Sequence, residues 1–144
     1  MSKTIIVSNR LPVKITEKDG HMQFLPSEGG LATGLGSIYR DGNNIWVGWP
    51  GMEVPDPTVQ EGVVNQLRDM NLMPVFLTQE EINQYYEGFS NEILWPVFHY
   101  MSTYARYQQS YWDSFCAVNR KFCEAVQKIA EPDDIIWIQD YQLL

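Results

Sequence analysis

Positively charged residues are scarce in this sequence, and that scarcity excludes one large class of partner. Lysine and arginine number 10 against 18 aspartates and glutamates, which gives a formal net charge of −8 at pH 7. Nucleic-acid binding needs a basic face for the phosphate backbone, so we expect no nucleic-acid partner. Long apolar runs are also missing, which predicts no membrane partner. The first ten residues, MSKTIIVSNR, contain too short an apolar run for a signal peptide.

Metal ligands and nucleophiles are equally sparse. Cys116 and Cys123 stand seven residues apart in a helical pattern, which separates them by about 10 Å along the axis, too far for a disulfide. We therefore expect reduced thiols on an apolar core face and a cytoplasmic location. His21 and His99 are isolated, and no Asp-x-Asp motif occurs. This predicts neither a bound divalent metal nor a cysteine nucleophile.

What the chain does contain is an alternation of strand and helix patterns. Strands are predicted at 4–7, 45–49, 73–78 and 135–140, with a hairpin or loop around Asp19-Gly20. Buried helical faces are predicted between them. This order predicts an α/β fold in which a mostly parallel sheet carries helices on both faces, and 144 residues suit a single domain.

Local signals place several of the helices. Thr78 and Glu81 have the spacing of a capping box, and Ser90 is expected to cap a second short helix. One helix is expected to start near Gly30, with its apolar face at residues 31, 35 and 38. The longest helical pattern runs over 103–130, and its aromatic stripe, which includes Tyr104 and Tyr107, is expected to be core.

Arg10 and Asp140 each follow a predicted buried strand. Ligands in open α/β sheets lie outside the carboxyl ends of parallel strands, so the two residues are expected at one rim. A guanidinium group for phosphate and a carboxylate for hydroxyls suit a sugar phosphate. A surface ion pair for Arg10 and a helix cap for Asp140 remain open at this point.

Gly29 and Gly30 precede a predicted helix, where unobstructed backbone N–H groups can approach an anion. The stretch EGGLATG is neither the dinucleotide fingerprint nor a P-loop. A tight turn without any ligand remains the other interpretation.

Together, these motifs resemble the trehalose-6-phosphate synthases, the family 20 glycosyltransferases that join UDP-glucose to glucose 6-phosphate. The resemblance covers nearly the whole chain. It rests on VSNRLP, GGLATGL, WVGWPG, EINQYYEGFSNEILWPVFHY and DDIIWIQDYQLL. It implies a GT-B fold, in which two Rossmann-like domains face a cleft, and residues 1–144 match only the N-terminal, acceptor-side domain. On this basis we expect the nucleotide-binding second domain to be absent and the N-terminal domain to be truncated at its C-terminal end.

The resemblance also assigns roles to residues. Arg10 would hold the phosphate of glucose 6-phosphate, Tyr86 and Trp95 would enclose that acceptor, and Asp140 would bind its hydroxyls. Gly29 and Gly30 would offer backbone amides to the donor diphosphate. Trp49 is placed near the acceptor as well, with weaker support from the resemblance.

The implied reaction is retaining glucosyl transfer that gives trehalose 6-phosphate and UDP, without a metal, a cofactor or an enzyme nucleophile. The donor phosphate would help to deprotonate the acceptor hydroxyl, while the protein supplies position and charge. Because the second domain holds the donor, we expect these 144 residues alone to be inactive.

Two alternatives stay open: a non-catalytic sugar-phosphate-sensing subunit, and a related synthase whose acceptor is, for example, glycerol 3-phosphate. Assembly into a homo-oligomer also stays open.

Overall fold

The computed structural model describes residues 2–40 and 42–144, and the side chains of Leu31 and Tyr39 lie outside the described part. In that part, the main sheet has four strands in the order β5-β4-β1-β6, and every neighbouring pair is parallel. The strands are β1 (Thr4–Arg10), β4 (Ile45–Trp49), β5 (Leu72–Pro74) and β6 (Ile135–Ile138). The carboxyl ends of these strands therefore meet at one rim.

The interior strand β1 separates two hydrophobic cores. Ile5 and Val7 point into a core built with the C-terminal helices, whereas Ile6 points to the opposite face and packs in a second core with Trp46. All three β1 side chains are buried. A β-branched run covered on both faces explains why this short segment forms an interior parallel strand.

A β-hairpin, β2 (Val13–Lys18) and β3 (His21–Pro26), follows β1 directly and forms a separate two-stranded sheet. Its turn residues, Asp19 and Gly20, have φ values of 53° and 76°. This pair of left-handed residues matches the right-handed twist of two antiparallel strands. The predicted hairpin is confirmed.

The helical segments follow the predicted alternation but differ in length and type. Three α-helices lie in the first half: α1 (Gly30–Gly34), α2 (Gly36–Arg40) and α3 (Pro57–Arg68). The next helical run begins as α4 (Gln79–Glu81), continues as a π-helix (Ile82–Leu94) and ends as α5 (Trp95–Phe98). A 3₁₀ turn (Ser102–Tyr104) then leads to α6 (Gln109–Gln127).

Several local predictions are confirmed. The capping box is present, since Thr78 Oγ1 accepts from the Glu81 N–H at 3.1 Å and Glu81 Oε2 accepts from the Thr78 N–H at 2.9 Å. Helix α3 buries Val63 and Leu67. The helix expected near Gly30 begins at Gly30, although the side chain of Leu31 is outside the described part.

The long helix predicted over 103–130 starts later than expected. Ala105 is extended, with φ −69° and ψ 126°, and α6 begins only at Gln109. Tyr104 and Tyr107 therefore precede the helix, and both are exposed rather than core. Ser90 caps no helix. It lies inside the π-helix, where its hydroxyl donates to the Tyr85 carbonyl at 2.7 Å.

Strand β6 is present but is not buried as predicted. Its four side chains are 41–62% exposed, because β6 is the outer strand of the described sheet and only β1 lies beside it. Ile136 and Ile138 line an apolar groove of about 660 Å³ with Phe122 and Val126 of α6. The predicted strand at 73–78 is also shorter than expected and ends at Pro74.

The two cysteines are free, as predicted, but they are not core residues. Cys116 is half-buried and Cys123 is exposed. In the part of the chain that the structure describes, no helix has both the length and the apolar character that crossing a bilayer requires.

Candidate functional site

A β-bulge at the end of β1 places Arg10 at the rim of the sheet. Val7 lies opposite Val47 and Arg10 opposite Trp49, so two residues of β1 oppose the single Gly48 of β4. A Cβ atom on Gly48 would lie 2.8 Å from the Leu11 nitrogen and 2.9 Å from the Arg10 carbonyl carbon. The bulged strand can therefore pass over β4 only where β4 carries a glycine, and bulges of this kind commonly redirect a side chain beside a site.

The Arg10 guanidinium lies between two aromatic rings. Its central carbon is 5.2 Å from the centroid of the Trp49 ring and 5.9 Å from that of Tyr86. Both distances fall within the range of cation–π attraction. Cation–π attraction leaves the guanidinium N–H donors free in chemical terms to bind an anion, because the rings are not hydrogen-bond partners of these groups.

Two buried side chains fix the backbone of Arg10. The indole N–H of Trp46 donates to Ser8 Oγ at 2.7 Å, and the Ser8 hydroxyl donates to the Arg10 carbonyl at 2.6 Å. Ser8 is fully buried. The Trp46 indole N–H, the Ser8 hydroxyl and the Arg10 carbonyl therefore all have partners in this short series.

Asp140 lies beside Arg10, as the rim argument predicts. Its Oδ2 accepts the backbone N–H of Asn9 at 3.0 Å, directly before Arg10 in the chain. Asp140 adopts φ +88°, a conformation that L-residues seldom occupy and that must be held by its surroundings. Among the described residues, no hydrogen bond engages the other carboxylate oxygen.

Beneath this carboxylate lies a buried polar pair. The Tyr85 hydroxyl donates to Asn9 Oδ1 at 2.9 Å, and the two side chains are 0% and 4% exposed. Burial raises the pKa of Tyr85, and the charge of Asp140 raises it further. The hydroxyl therefore stays protonated and remains a hydrogen-bond donor.

Trp95 packs against Tyr141, the residue that follows Asp140. Its ring is 50% exposed and lies 5.7 Å from the ring of Tyr141 and 3.8 Å from that of His99. The Tyr141 hydroxyl donates to Asn91 Oδ1 at 3.0 Å. Burial raises the pKa of Tyr141, with smaller contributions from Tyr86 and Asp140.

Gly29 and Gly30 lie where the chain leaves the hairpin. The Ser27 N–H donates to the Pro12 carbonyl at 2.7 Å, which ties this exit to the residues just after Arg10. Gly29 has φ +146°, so a side chain there would be strained. Among the described residues, no atom beyond the local backbone and the chain neighbours lies within 4 Å of a Cβ built on either glycine, so both face open space.

Of the predicted residues, the structure places Arg10 beside Trp49 and Tyr86 and places Asp140 against the residue before Arg10. Trp95 is connected to them only through Tyr141, the residue after Asp140. Sequence analysis missed Asn9 and Tyr85 and did not use Gly48. A glycine inside the strand IWVGW was the available signal for a bulge. Tyr85 gave no signal, because a tyrosine on the buried face of a helix fits an apolar core equally well.

The described residues offer no metal site. Within residues 2–40 and 42–144, no cluster of three or more His, Cys, Asp or Glu side chains is arranged to hold a metal ion.

Comparison with known proteins identifies relatives of this architecture. An alpha,alpha-trehalose-phosphate synthase [UDP-forming] of Aspergillus niger is 38% identical over 99% of this chain, which covers 28% of that protein. The crystal structure of such a synthase from Burkholderia vietnamiensis superposes with a TM-score of 0.72 and 34% identity, over 99% of this chain and 28% of that one. An E. coli structure bound with UDP-2-fluoro glucose superposes with a TM-score of 0.70 and 28% identity, again over 99% and 28%.

These matches confirm the predicted fold, a Rossmann-like α/β architecture of the GT-B type. The chain spans about 28% of the length of these relatives. The model of glycosyltransferase family 20 matches residues 2–144. The chain therefore belongs to glycosyltransferase family 20.

Proposed function

We propose that this chain is the N-terminal, acceptor-binding domain of a glucosyltransferase that joins UDP-glucose to glucose 6-phosphate and gives trehalose 6-phosphate and UDP. The observation that carries the proposal is that Arg10 and Asp140 both stand at the carboxyl-end rim of the parallel sheet. The relatives above share this fold, and the A. niger protein is named as a UDP-forming alpha,alpha-trehalose-phosphate synthase.

Arg10 has the environment of a phosphate-binding residue. Its guanidinium lies within cation–π distance of Trp49 and Tyr86, and no ion pair among the described residues engages it. The planar fork can therefore donate two parallel hydrogen bonds to phosphate oxygens, which an arginine does with better geometry than a lysine.

Asp140 and the aromatic residues suit the sugar ring. The Asp140 carboxylate keeps acceptor capacity beyond its bond to the Asn9 N–H, so it can accept a hydrogen bond from a sugar hydroxyl. The exposed face of Trp95 offers a flat apolar surface. The buried indole N–H of Trp49 has no partner within the described residues, which leaves one more donor beside Arg10.

The donor side of the proposal rests on the family resemblance. Gly29 and Gly30 face open space, and the resemblance gives their amides to the diphosphate of UDP-glucose. It also implies front-face transfer without a metal. We therefore expect the full-length protein to transfer glucose equally well with and without EDTA.

The first test is a thermal shift measurement on the 144-residue chain with glucose 6-phosphate, glucose, UDP-glucose and glycerol 3-phosphate. At 100 times its dissociation constant, a ligand stabilises the fold by about 2.7 kcal/mol. We expect glucose 6-phosphate to raise Tm and free glucose not to do so, because the sugar alone lacks the charge that Arg10 binds.

Arg10→Ala is expected to abolish this shift, since a charged hydrogen-bonding group contributes about 1.5–3 kcal/mol. Arg120→Ala, on the exposed face of α6, is the matched control and should keep the shift. A shift that survives Arg10→Ala would contradict the proposed phosphate site. A larger shift with glycerol 3-phosphate would favour the alternative acceptor.

A further inference from the structure

Asn9 and Tyr85 form a polar pair inside a hydrophobic core. Tyr85 packs among the apolar residues between the sheet and α6, with its ring 6.0 Å from that of Phe115. Its hydroxyl nevertheless reaches Asn9 Oδ1, 76 residues earlier in the chain, at 2.9 Å. A phenylalanine would fill the same space without a polar group to satisfy. A buried hydroxyl costs free energy unless it is hydrogen-bonded, so this one depends on its bond to Asn9.

Asn9 connects this hydroxyl to Asp140. Its side chain accepts from Tyr85, and its backbone N–H donates to the Asp140 carboxylate at 3.0 Å. Asn9 lies in the bulge, where its peptide is not fixed by the regular ladder. The side-chain bond to Tyr85 therefore sets the direction in which the Asn9 N–H points, and that N–H sets the position of the Asp140 carboxylate.

Tyr85 also connects Asn9 to the π-helix. Its carbonyl accepts the Ser90 hydroxyl at 2.7 Å, and its hydroxyl is held by Asn9. The next residue is Tyr86, whose ring contacts the Arg10 guanidinium. A single hydrogen bond thus aligns the strand that carries Arg10 with the helix that carries Tyr86.

We infer that Asn9 and Tyr85 are positioning residues, which hold Asp140 and the Tyr86–Arg10 contact in the geometry that binds the acceptor sugar phosphate. This inference deepens the proposed function and rests on it. Neither residue needs to touch the ligand. Both lie below the rim, 4% and 0% exposed, whereas Arg10 is exposed.

The test combines two variants in a double-mutant cycle, read by calorimetric titration with glucose 6-phosphate. Tyr85→Phe removes only the hydroxyl, and we expect the Kd to rise on the order of tenfold, which corresponds to about 1.4 kcal/mol. In an Asp140→Asn background, the same change should raise the Kd by less than about twofold, because coupled residues are not additive. Full additivity would mean that Tyr85 does not act through Asp140.

Ser114→Ala is the matched control. It also removes a hydroxyl that joins the π-helix to a neighbouring element, through a 2.7 Å bond to Gln84 Oε1, but it lies away from the rim. We expect it to lower Tm and leave the Kd unchanged. If Ser114→Ala weakened binding as much as Tyr85→Phe does, the role of Tyr85 would be purely structural. Asn9→Ala breaks the same hydrogen bond from the other side and serves if Tyr85→Phe does not fold.

A second readout needs no ligand. The Asn9 backbone N–H donates to the Asp140 carboxylate, so hydrogen exchange of this amide, followed by NMR, reports directly on that hydrogen bond. We expect Tyr85→Phe to speed the exchange of Asn9 selectively over Val7, and Ser114→Ala not to do so. Unchanged Asn9 exchange would overturn the inference even if glucose 6-phosphate binds. Accelerated exchange without any binding by the parent chain would instead contradict the proposed function.

Discussion

Gly48 determines the path of the chain at the site although it has no side chain to contribute. The bulge in β1 crosses β4 at this residue, and the nearest atoms to an added Cβ are backbone atoms of Leu11 and Arg10. Backbone atoms cannot move aside as the end of a flexible side chain can. The position of Arg10 therefore depends on a residue that has no side chain.

Gly48→Ala is expected to separate β1 from β4 at the rim. Overpacking of this kind costs about 1–3 kcal/mol of unfolding free energy and should also weaken binding of glucose 6-phosphate, because Arg10 shifts. Thermal unfolding and titration measure the two effects. Gly62→Ala is the control: it lies in α3 with no atom within 4 Å of its Cβ and should stabilise the chain by up to about 1 kcal/mol. Equal stability of the two variants would show that the close approach at Gly48 is unimportant.

The arginine and the aspartate were predictable from the sequence because strand ends are visible as the last apolar residue before a polar one. Asn9 and Tyr85 were not. Their roles depend on a bulge and a hydrogen bond between residues 76 positions apart, and no local pattern reports on either.

Among the elements, β6 is joined to β1 by an interaction outside the sheet ladder. The Asp134 carboxylate accepts from the Lys3 N–H at 2.9 Å, from Lys3 Nζ at 2.6 Å and from the Glu131 N–H at 2.8 Å. The side-chain bond from Lys3 is the main cause that lowers the pKa of Asp134 from 3.8 to about 2, with the two backbone bonds next. The start of the first strand is thereby tied to the start of the last.

This shift gives a pH dependence of definite sign. A carboxyl group whose pKa is lowered by folding stabilises the fold at pH values above its ordinary pKa, and that contribution is lost as the pH falls through the folded value. We expect Asp134→Asn to be less stable than the parent chain at neutral pH, and the difference in Tm to vanish between pH 3.8 and about 2. Asp133→Asn, the exposed neighbour, should leave the profile unchanged. A difference that persists at the lowest pH would assign the effect to packing instead.

Element types were better predicted than burial. The strand at 45–49, the hairpin and the capping box were all visible in the sequence, because turn and cap residues act locally. The burial of β6 was not, since IIWI has the composition of an interior strand but lies at the outer edge of the described sheet. Likewise, Tyr104 and Tyr107 have helical spacing but precede α6, because the backbone becomes extended at Ala105. Periodicity describes which residues share a face, not where the helix begins.

At the scale of the whole molecule, the proposed function makes this chain one side of a cleft between two domains. The rim with Arg10 and Asp140 is open, and the chain covers 28% of the length of its synthase relatives. The resemblance assigns donor binding to the second domain of the family. Acceptor binding and transfer are therefore separable properties in this proposal.

We expect the 144-residue chain to bind glucose 6-phosphate but to transfer no glucose from UDP-glucose. UDP release and trehalose 6-phosphate formation, followed together, measure this, and the full-length protein is the positive control. Transfer by the 144-residue chain itself would contradict the expected division of labour between the two domains.

The parallel pairing of β1 with β6 has a consequence for synthesis. The chain is made from its N-terminus, so β1 leaves the ribosome first, and its bond partner Asp140 follows Asn9 by 131 residues. At roughly 5–20 residues per second, that interval is on the order of ten seconds. Once β4 has followed, β1 can pair with it but keeps an open edge on its other side, where wrong pairing is possible. The rim that carries Arg10 and Asp140 is thus completed only when β6 arrives. A nascent chain stopped before residue 135 would carry Arg10 without Asp140.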